Sequence, residues 1–168
     1  HTGMTFPNGV ALTYQYDAYG RASAVQSNLG APWGTLADGL LYQPATQQLY
    51  AWRFGNGLQR AWTQDADGRL TRLEAGSAQN VTLDWHSTNT IRNLSDALFS
   101  SQSAAFTYDA NDRLASVGKA GDNQTWTFDK TGNLRTHVRN AASLSYTVDP
   151  AANRLFTASG SSSRVFGY

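Results

Sequence analysis

The sequence has no cysteine, one methionine and four prolines among 168 residues. The missing cysteine excludes disulfides and thiolate metal sites, and leaves the redox compartment unmarked. No sign of charge dominates: thirteen Lys and Arg face twelve Asp and Glu, a formal net charge of +1. That balance excludes a strongly basic nucleic-acid or membrane-surface protein in the general case. No apolar run approaches the ~18 uninterrupted residues of a membrane-spanning helix, and no signal peptide is visible. The chain opens on His1, which reads as a piece of something longer. Helical patterning is scarce. Asn93 to Ala105 is the one stretch with helical spacing, and its serines and polar flanks weaken it. Ala158 to Ser163 is rich in Gly and Ser and reads as a loop.

What is present is hydrophobic and aromatic content, 40% and 12%, enough for a core and too much for a disordered chain. It is also repeated. Tyr16-Asp17-Ala18-Tyr19-Gly20-Arg21 recurs as Gln64-Asp65-Ala66-Asp67-Gly68-Arg69-Leu70 and as Tyr108-Asp109-Ala110-Asn111-Asp112-Arg113-Leu114. Phe128-Asp129-Lys130-Thr131-Gly132-Asn133-Leu134 and Val148-Asp149-Pro150-Ala151-Ala152-Asn153-Arg154-Leu155 follow the same plan. Two weaker copies place Gln43 and His86 where the others place Asp. The anchors 17, 43, 65, 86, 109, 129 and 149 are 20 to 26 residues apart, the short end of repeat architectures. Val165-Phe166-Gly167-Tyr168 resembles the start of an eighth unit cut short.

Each unit reads as a β-hairpin. Three residues before the anchor stand Tyr14, Leu40, Trp62, Leu83, Phe106, Trp126 and Tyr146; one before it stand Tyr16, Tyr42, Gln64, Trp85, Tyr108, Phe128 and Val148. Between them lie Gln15, Leu41, Thr63, Asp84, Thr107, Thr127 and Thr147. Positions two apart share a strand face, so one face is large and apolar and the other rich in Thr. The anchor Asp accepts bonds from nearby amides, and Gly, Asn or Asp three residues on tolerates positive φ at the bulge of a type I turn. On the return strand the apolar residues Leu70 and Leu73, or Leu114 and Val117, are three apart. A bulge, or a strand buried on both faces, explains that offset. Asn8-Gly9 and Asn56-Gly57 match the favoured two-residue hairpin turn, and are expected to join one hairpin to the next in a meander.

Searches for reaction chemistry return little. His1, His86 and His137 are far apart without zinc-ligand spacing. No nucleophile elbow or phosphate loop appears. Asp65, Asp67, Gly68 and Glu74 fall where a calcium loop beginning at Thr63 would place them, but Thr63 is a poor first ligand and the repeat already explains the turn. Two close carboxylates for glycoside hydrolysis are not favoured by acids that sit mostly on turns. A repeated Asp that Gln or His replaces is a turn former. No enzyme activity, metal or cofactor is expected.

The unit Tyr-Asp-x-x-Gly-Arg-Leu, with Phe6-Pro7-Asn8-Gly9-Val10 upstream, resembles the RHS or YD repeat from about Phe6 to Tyr168. Asp17, Gly20 and Arg21, Asp65, Gly68 and Arg69, Tyr108, Asp109 and Arg113, Asp129 and Gly132, and Asp149 and Arg154 carry the likeness. The resemblance implies a bacterial secreted or surface protein of the Rhs, polymorphic-toxin or insecticidal toxin-complex type, with related repeats in teneurins. It implies an all-β, curved or spiral sheet that encloses a toxin or effector cargo. The self-cleaving Asp-Pro-x-Gly-Leu motif of toxin-type members is absent, since Asp149-Pro150 continues as Ala151-Ala152-Asn153, so that cleavage is not carried over.

The physics of sheets agrees. Fourteen strands at about 4.8 Å would span about 65 Å, and open sheets rarely exceed about ten strands without curling or splitting. Open edges would invite self-association or pairing with the rest of a longer chain. The expectation is a scaffold of about seven repeats over residues 1–168. The alternative is a carbohydrate or cell-surface binding module, with Trp33 and Trp52 as ligand aromatics because they fall outside the two pre-anchor positions.

Overall fold

A computed structural model describes residues 2–166. His1 and the Gly167-Tyr168 end of the expected eighth unit lie outside the described residues. Among the described residues the fold is all-β. Sixteen antiparallel strands form one open sheet in which each strand's neighbours are the ones before and after it in the chain.

Two compact units divide the chain, one up to Thr82 and one from Leu83. The first holds β1 (Gly3–Thr5), β2 (Ala11–Tyr16), β3 (Ala22–Ser27), β4 (Thr35–Tyr42), β5 (Leu49–Phe54), β6 (Gln59–Gln64), β7 (Leu70–Ala75) and most of β8 (Gln79–Trp85). The second holds β9 (Ile91–Asp96), β10 (Ala104–Tyr108), β11 (Leu114–Lys119), β12 (Gln124–Phe128), β13 (Leu134–Arg139), β14 (Ala142–Asp149), β15 (Arg154–Gly160) and β16 (Arg164–Val165).

The alternation of large and small residues sets the faces. Before each anchor the large residues are half-buried, Tyr16 excepted, and the residue between them is exposed, Asp84 excepted. Trp62, Leu73 and Val81 form one row across β6, β7 and β8 on the large-residue face. On the other face hydroxyls pair across strands: Thr107 with Ser116 at 2.6 Å, Thr127 with Thr136 at 2.6 Å, and Thr147 with Thr157 at 2.5 Å. A single layer leaves little interior: among the described residues only Ala24, Ala75 and Val81 are buried apolar side chains.

The return strands carry bulges. Thr63 pairs with Arg72 but Gln64 with Leu70, so Thr71 is the extra residue. The same slip leaves out Ser23, Ala115, Arg135 and Phe156. The offset of three is therefore a bulge, which restores both apolar residues to one face.

Three local expectations change. Residues 93–105 are not helical: Asn93 to Asp96 belong to β9, a 3-10 turn covers Ser100–Gln102, and β10 begins at Ala104. Leu94 pairs with Ala104, so strand pairing places the apolar residues whose spacing looked helical. Ala158 to Gly160 is strand rather than loop, because Ser145 and Tyr146 of β14 pair with Ser159 and Ala158. The Asn-Gly turns do join one hairpin to the next, but not as two-residue turns. Gly9 N–H bonds to Phe6 O at 2.9 Å and Phe6 N–H to Val10 O at 2.8 Å, the backbone pattern of the Asp turns.

Candidate functional site

The repeated turn is the densest polar constellation in each unit. In the first unit Asp65 N–H bonds to Arg69 O at 2.9 Å and Gly68 N–H to Asp65 O at 3.0 Å. The Asp65 Oδ1 accepts from the backbone of Asp67 at 3.0 Å and of Arg69 at 2.9 Å, while Oδ2 takes the Arg69 guanidinium at 2.7 Å. Asp17 is held the same way by Tyr19 and Arg21. In the second unit Asp109 is held by Asn111 and Arg113. Asp129 is held by Thr131 and Asn133, with the Asn133 carboxamide replacing the guanidinium at 3.0 Å. Asp149 accepts from Ala151 N–H at 2.8 Å. Two-residue carboxylate contacts of this kind are local turn chemistry.

These bonds set the titration of the acids. Burial pushes the carboxyls of Asp17, Asp65 and Asp109 up. The bonds from the arginine four residues on and from turn amides outweigh it, so each lies below the ordinary carboxylate value. For Asp129 the Asn133 carboxamide is the largest influence, and the pKa falls to about 2. None has the raised pKa of a general acid.

The arginine does a second job that the sequence did not announce. Arg21 Nη1 reaches Gln47 of the next turn at 2.8 Å, and its guanidinium carbon lies 4.9 Å from the Tyr42 ring centre. Arg113 Nη1 reaches the carbonyl of Asp129 at 3.2 Å and stacks 4.7 Å from Phe128. Asn133 bonds to Asn153 of the following turn at 2.8 Å. The pre-anchor tyrosine also binds backward: Tyr42 O–H donates to Ala22 O at 2.9 Å and Tyr108 O–H to Ile91 O at 3.0 Å. At the other strand end Asn28 clasps Gly9 and Ala11, and Asn140 clasps Gly121 and Asn123. Within each unit, turns at one end of the strands are thus bonded to their neighbours as a ladder.

The weaker copies keep the turn with other chemistry. Gln43 bonds to Gln64 at 2.8 Å and accepts from Thr46. The His86 ring meets Tyr108 edge-on at 6.1 Å. His137 stacks on Trp126 at 5.2 Å and contacts Gln124. Among the described residues no group of three or more His, Cys, Asp or Glu could hold a metal ion. The acids of the calcium-like loop are matched to arginines, Asp67 to Arg69 and Glu74 to Arg72. No helix among the described residues is long and apolar enough to cross a membrane.

The two candidate tryptophans differ and do not share a cleft. Trp52 is half-buried and packs edge-on against Phe54 at 5.6 Å and Trp62 at 5.3 Å. Its place nine residues after anchor 43 matches that of Leu73 eight after anchor 65, because the turn at Gln43 is one residue longer. Trp33 lies in the loop after β3, is 64% exposed, and lines a cleft of about 350 Å³ with Pro32, Thr35, Leu36, Phe54 and Asn56.

The sequence matches no family model and no curated protein. Solved structures do match. TcdB2-TccC3-TEV gives a TM-score of 0.73 at 17% identity, over 92% of this chain and 9% of that one. The Photorhabdus luminescens Tc holotoxin pore gives 0.73 at 17% identity, over 95% and 9%. TcdB2-TccC3 gives 0.70 at 17% identity, over 91% and 10%. The chain spans about a tenth of the length of these proteins. Over most of its residues it has the fold of a segment of the TcdB2-TccC3 chains of Tc toxin complexes, in keeping with an RHS-type repeat.

Proposed function

We propose that this chain is a non-enzymatic scaffold, a run of RHS-type repeats within a longer shell that encloses or presents a toxin or effector cargo. The observation that carries this reading is the turn ladder. The carboxylates of Asp17, Asp65, Asp109 and Asp129 are engaged inside their own turns, and within each unit turns are tied to their neighbours, so the repeated chemistry builds an extended sheet rather than a reaction centre. The fold likeness to Tc toxin chains supports it. Bacterial secretion or surface display, and association through sheet edges, belong to the same reading. Digestion of the parent chain with a non-specific protease tests it. Enclosure requires that the cargo region survive while the repeats are folded and disappear after they are unfolded. Equal degradation from the outset overturns the reading.

A second reading, saccharide binding, is favoured by one observation, the exposed Trp33 ring beside Thr35 and Asn56. Apolar sugar faces stack on such rings while polar neighbours take hydroxyls. A glycan titration lost on Trp33→Ala supports it, and a flat response across a glycan panel removes it. Trp52→Ala is the poorer variant, because it breaks packing with Phe54 and Trp62.

A further inference from the structure

Five arginines stand before residue 83, and four of them hold carboxylates. Arg21 pairs with Asp17 at 2.7 Å, Arg53 with Asp38 at 2.8 Å, Arg69 with Asp65 at 2.7 Å and Arg72 with Glu74 at 2.8 Å. Arg60 holds none among the described residues. Its guanidinium carbon instead lies 5.5 Å from the Trp52 ring centre and 5.7 Å from that of Trp62. Its Nε is buried without a hydrogen-bond partner, and so are the indole nitrogen of Trp62 and the side-chain oxygen of Gln79.

These orphans share one place on the large-residue face. Trp52 is directly opposite Arg60, and Trp62 is two residues further along the same strand. Ala61 pairs with Glu74, and Ala75 pairs with Gln79. Arg60, Ala75 and Gln79 therefore stand in one row across β6, β7 and β8. Ala75 offers only a methyl group between two long polar side chains. Buried polar groups are normally bonded, so two in this row, Arg60 and Gln79, and a third on Trp62 in the neighbouring row of the same face point to a partner from outside the unit.

We propose that this row is a carboxylate-binding site. One guanidinium edge presents two parallel donors that match the two oxygens of a planar carboxylate, and a single cation balances a single charge. The Trp62 N–H is a further donor, and the Gln79 carboxamide, turned about its last bond, supplies its amino group. The two indole rings keep water from the pair, which strengthens it. The carboxylate comes from an acidic side chain of another polypeptide segment or from a small free acid. The site does not depend on the scaffold reading, and its failure leaves that reading untouched.

The test follows the tryptophan indole signals of the isotopically labelled chain in two-dimensional nuclear magnetic resonance, with Trp62→Phe to assign the Trp62 signal. The probes are a capped Gly-Gly-Glu-Gly-Gly peptide, its Gln counterpart and sodium acetate. The Glu peptide is expected to move the Trp62 signal saturably, and the Gln peptide to leave it in place. Arg60→Gln should abolish the shift, and Arg60→Lys, which keeps charge but loses the fork, should weaken binding about tenfold. Acetate acting as strongly as the peptide identifies a free acid as sufficient; peptide alone identifies a polypeptide side chain; both support the site. An unmoved Trp62 signal with every probe, an equal response to the Gln peptide, or a full response in Arg60→Gln overturns it. The Trp33 signal reports folding of the same unit. Should Arg60→Gln unfold it, the Arg60→Lys titration decides, and affinity equal to the parent's overturns the proposal.

Discussion

Asp65 uses both carboxylate oxygens inside a five-residue turn, and Gly68 completes that turn at φ +78° with nothing within 4 Å of where a Cβ would stand. Backbone conformation rather than crowding therefore sets the cost of a side chain there. Gly68→Val is expected to lose about 1 kcal/mol or more in urea unfolding. Asp112 occupies the equivalent position at φ 56°, which Asp tolerates better than a β-branched residue, and Gly would loosen the unfolded chain, so Asp112→Gly should shift stability by less than Gly68→Val does. An unchanged Gly68→Val midpoint would place the strain elsewhere. The acids make a second prediction. Asp17, Asp65, Asp109 and Asp129 have folded pKa values below the ordinary 3.8, so their contribution is complete above that value and is lost as pH falls through the folded ones, about 2 for Asp129. The melting temperature should hold from neutral pH to about 5 and fall between about 4 and 2; a level profile in acid would show that the turn bonds do not stabilise the folded chain. Asp and Gly could be read from the sequence because their work is local. The reach of Arg21 to Gln47 could not, since its target lies 26 residues away and depends on how turns align.

At the scale of the strand, pairing between consecutive hairpins stops short of the Asp turns. β3 and β4 pair only from Ala24↔Asp38 onward, and β9 and β10 only from Asn93↔Ala105. Beyond those pairs the tyrosine hydroxyls of Tyr42 and Tyr108 reach the carbonyls of Ala22 and Ile91. The tyrosine of the Tyr-Asp pair is therefore a strap across diverging strands as well as an apolar side chain. Tyr108→Phe keeps the ring and removes the strap, and should cost about 1 kcal/mol. A loss within measurement error would mean that water replaces the bond at no cost. The sequence pattern revealed the large-residue face but not the strap, because Phe128 fills the same position by stacking under Arg113. It also left the bulge as one of two options: an offset of three shows that alternation breaks, and only the skipped pairing of Thr71 shows how. The Ser-rich segments misled for a related reason. Ala158 to Gly160 has low strand propensity, and pairing with β14 overrides it.

At the largest scale, every strand among the described residues is bonded to its sequence neighbours, so among them no pairing closes a long loop. Stability in such a chain is a sum of unit and nearest-neighbour terms rather than one all-or-none quantity. The absence of a thick core points the same way, because among the described residues only three apolar side chains are buried. Damage should then stay near its source. Gly68→Val is expected to speed hydrogen exchange in β6 and β7 and their immediate neighbours, while the amides of β12 and β13 exchange as in the parent chain. Mass-spectrometric exchange resolves these segments. Equal acceleration in all strands would show global cooperativity and remove the nearest-neighbour description, because a repeat held only by adjacent hydrogen-bonded strands has no means of carrying a turn defect from Gly68 to Trp126.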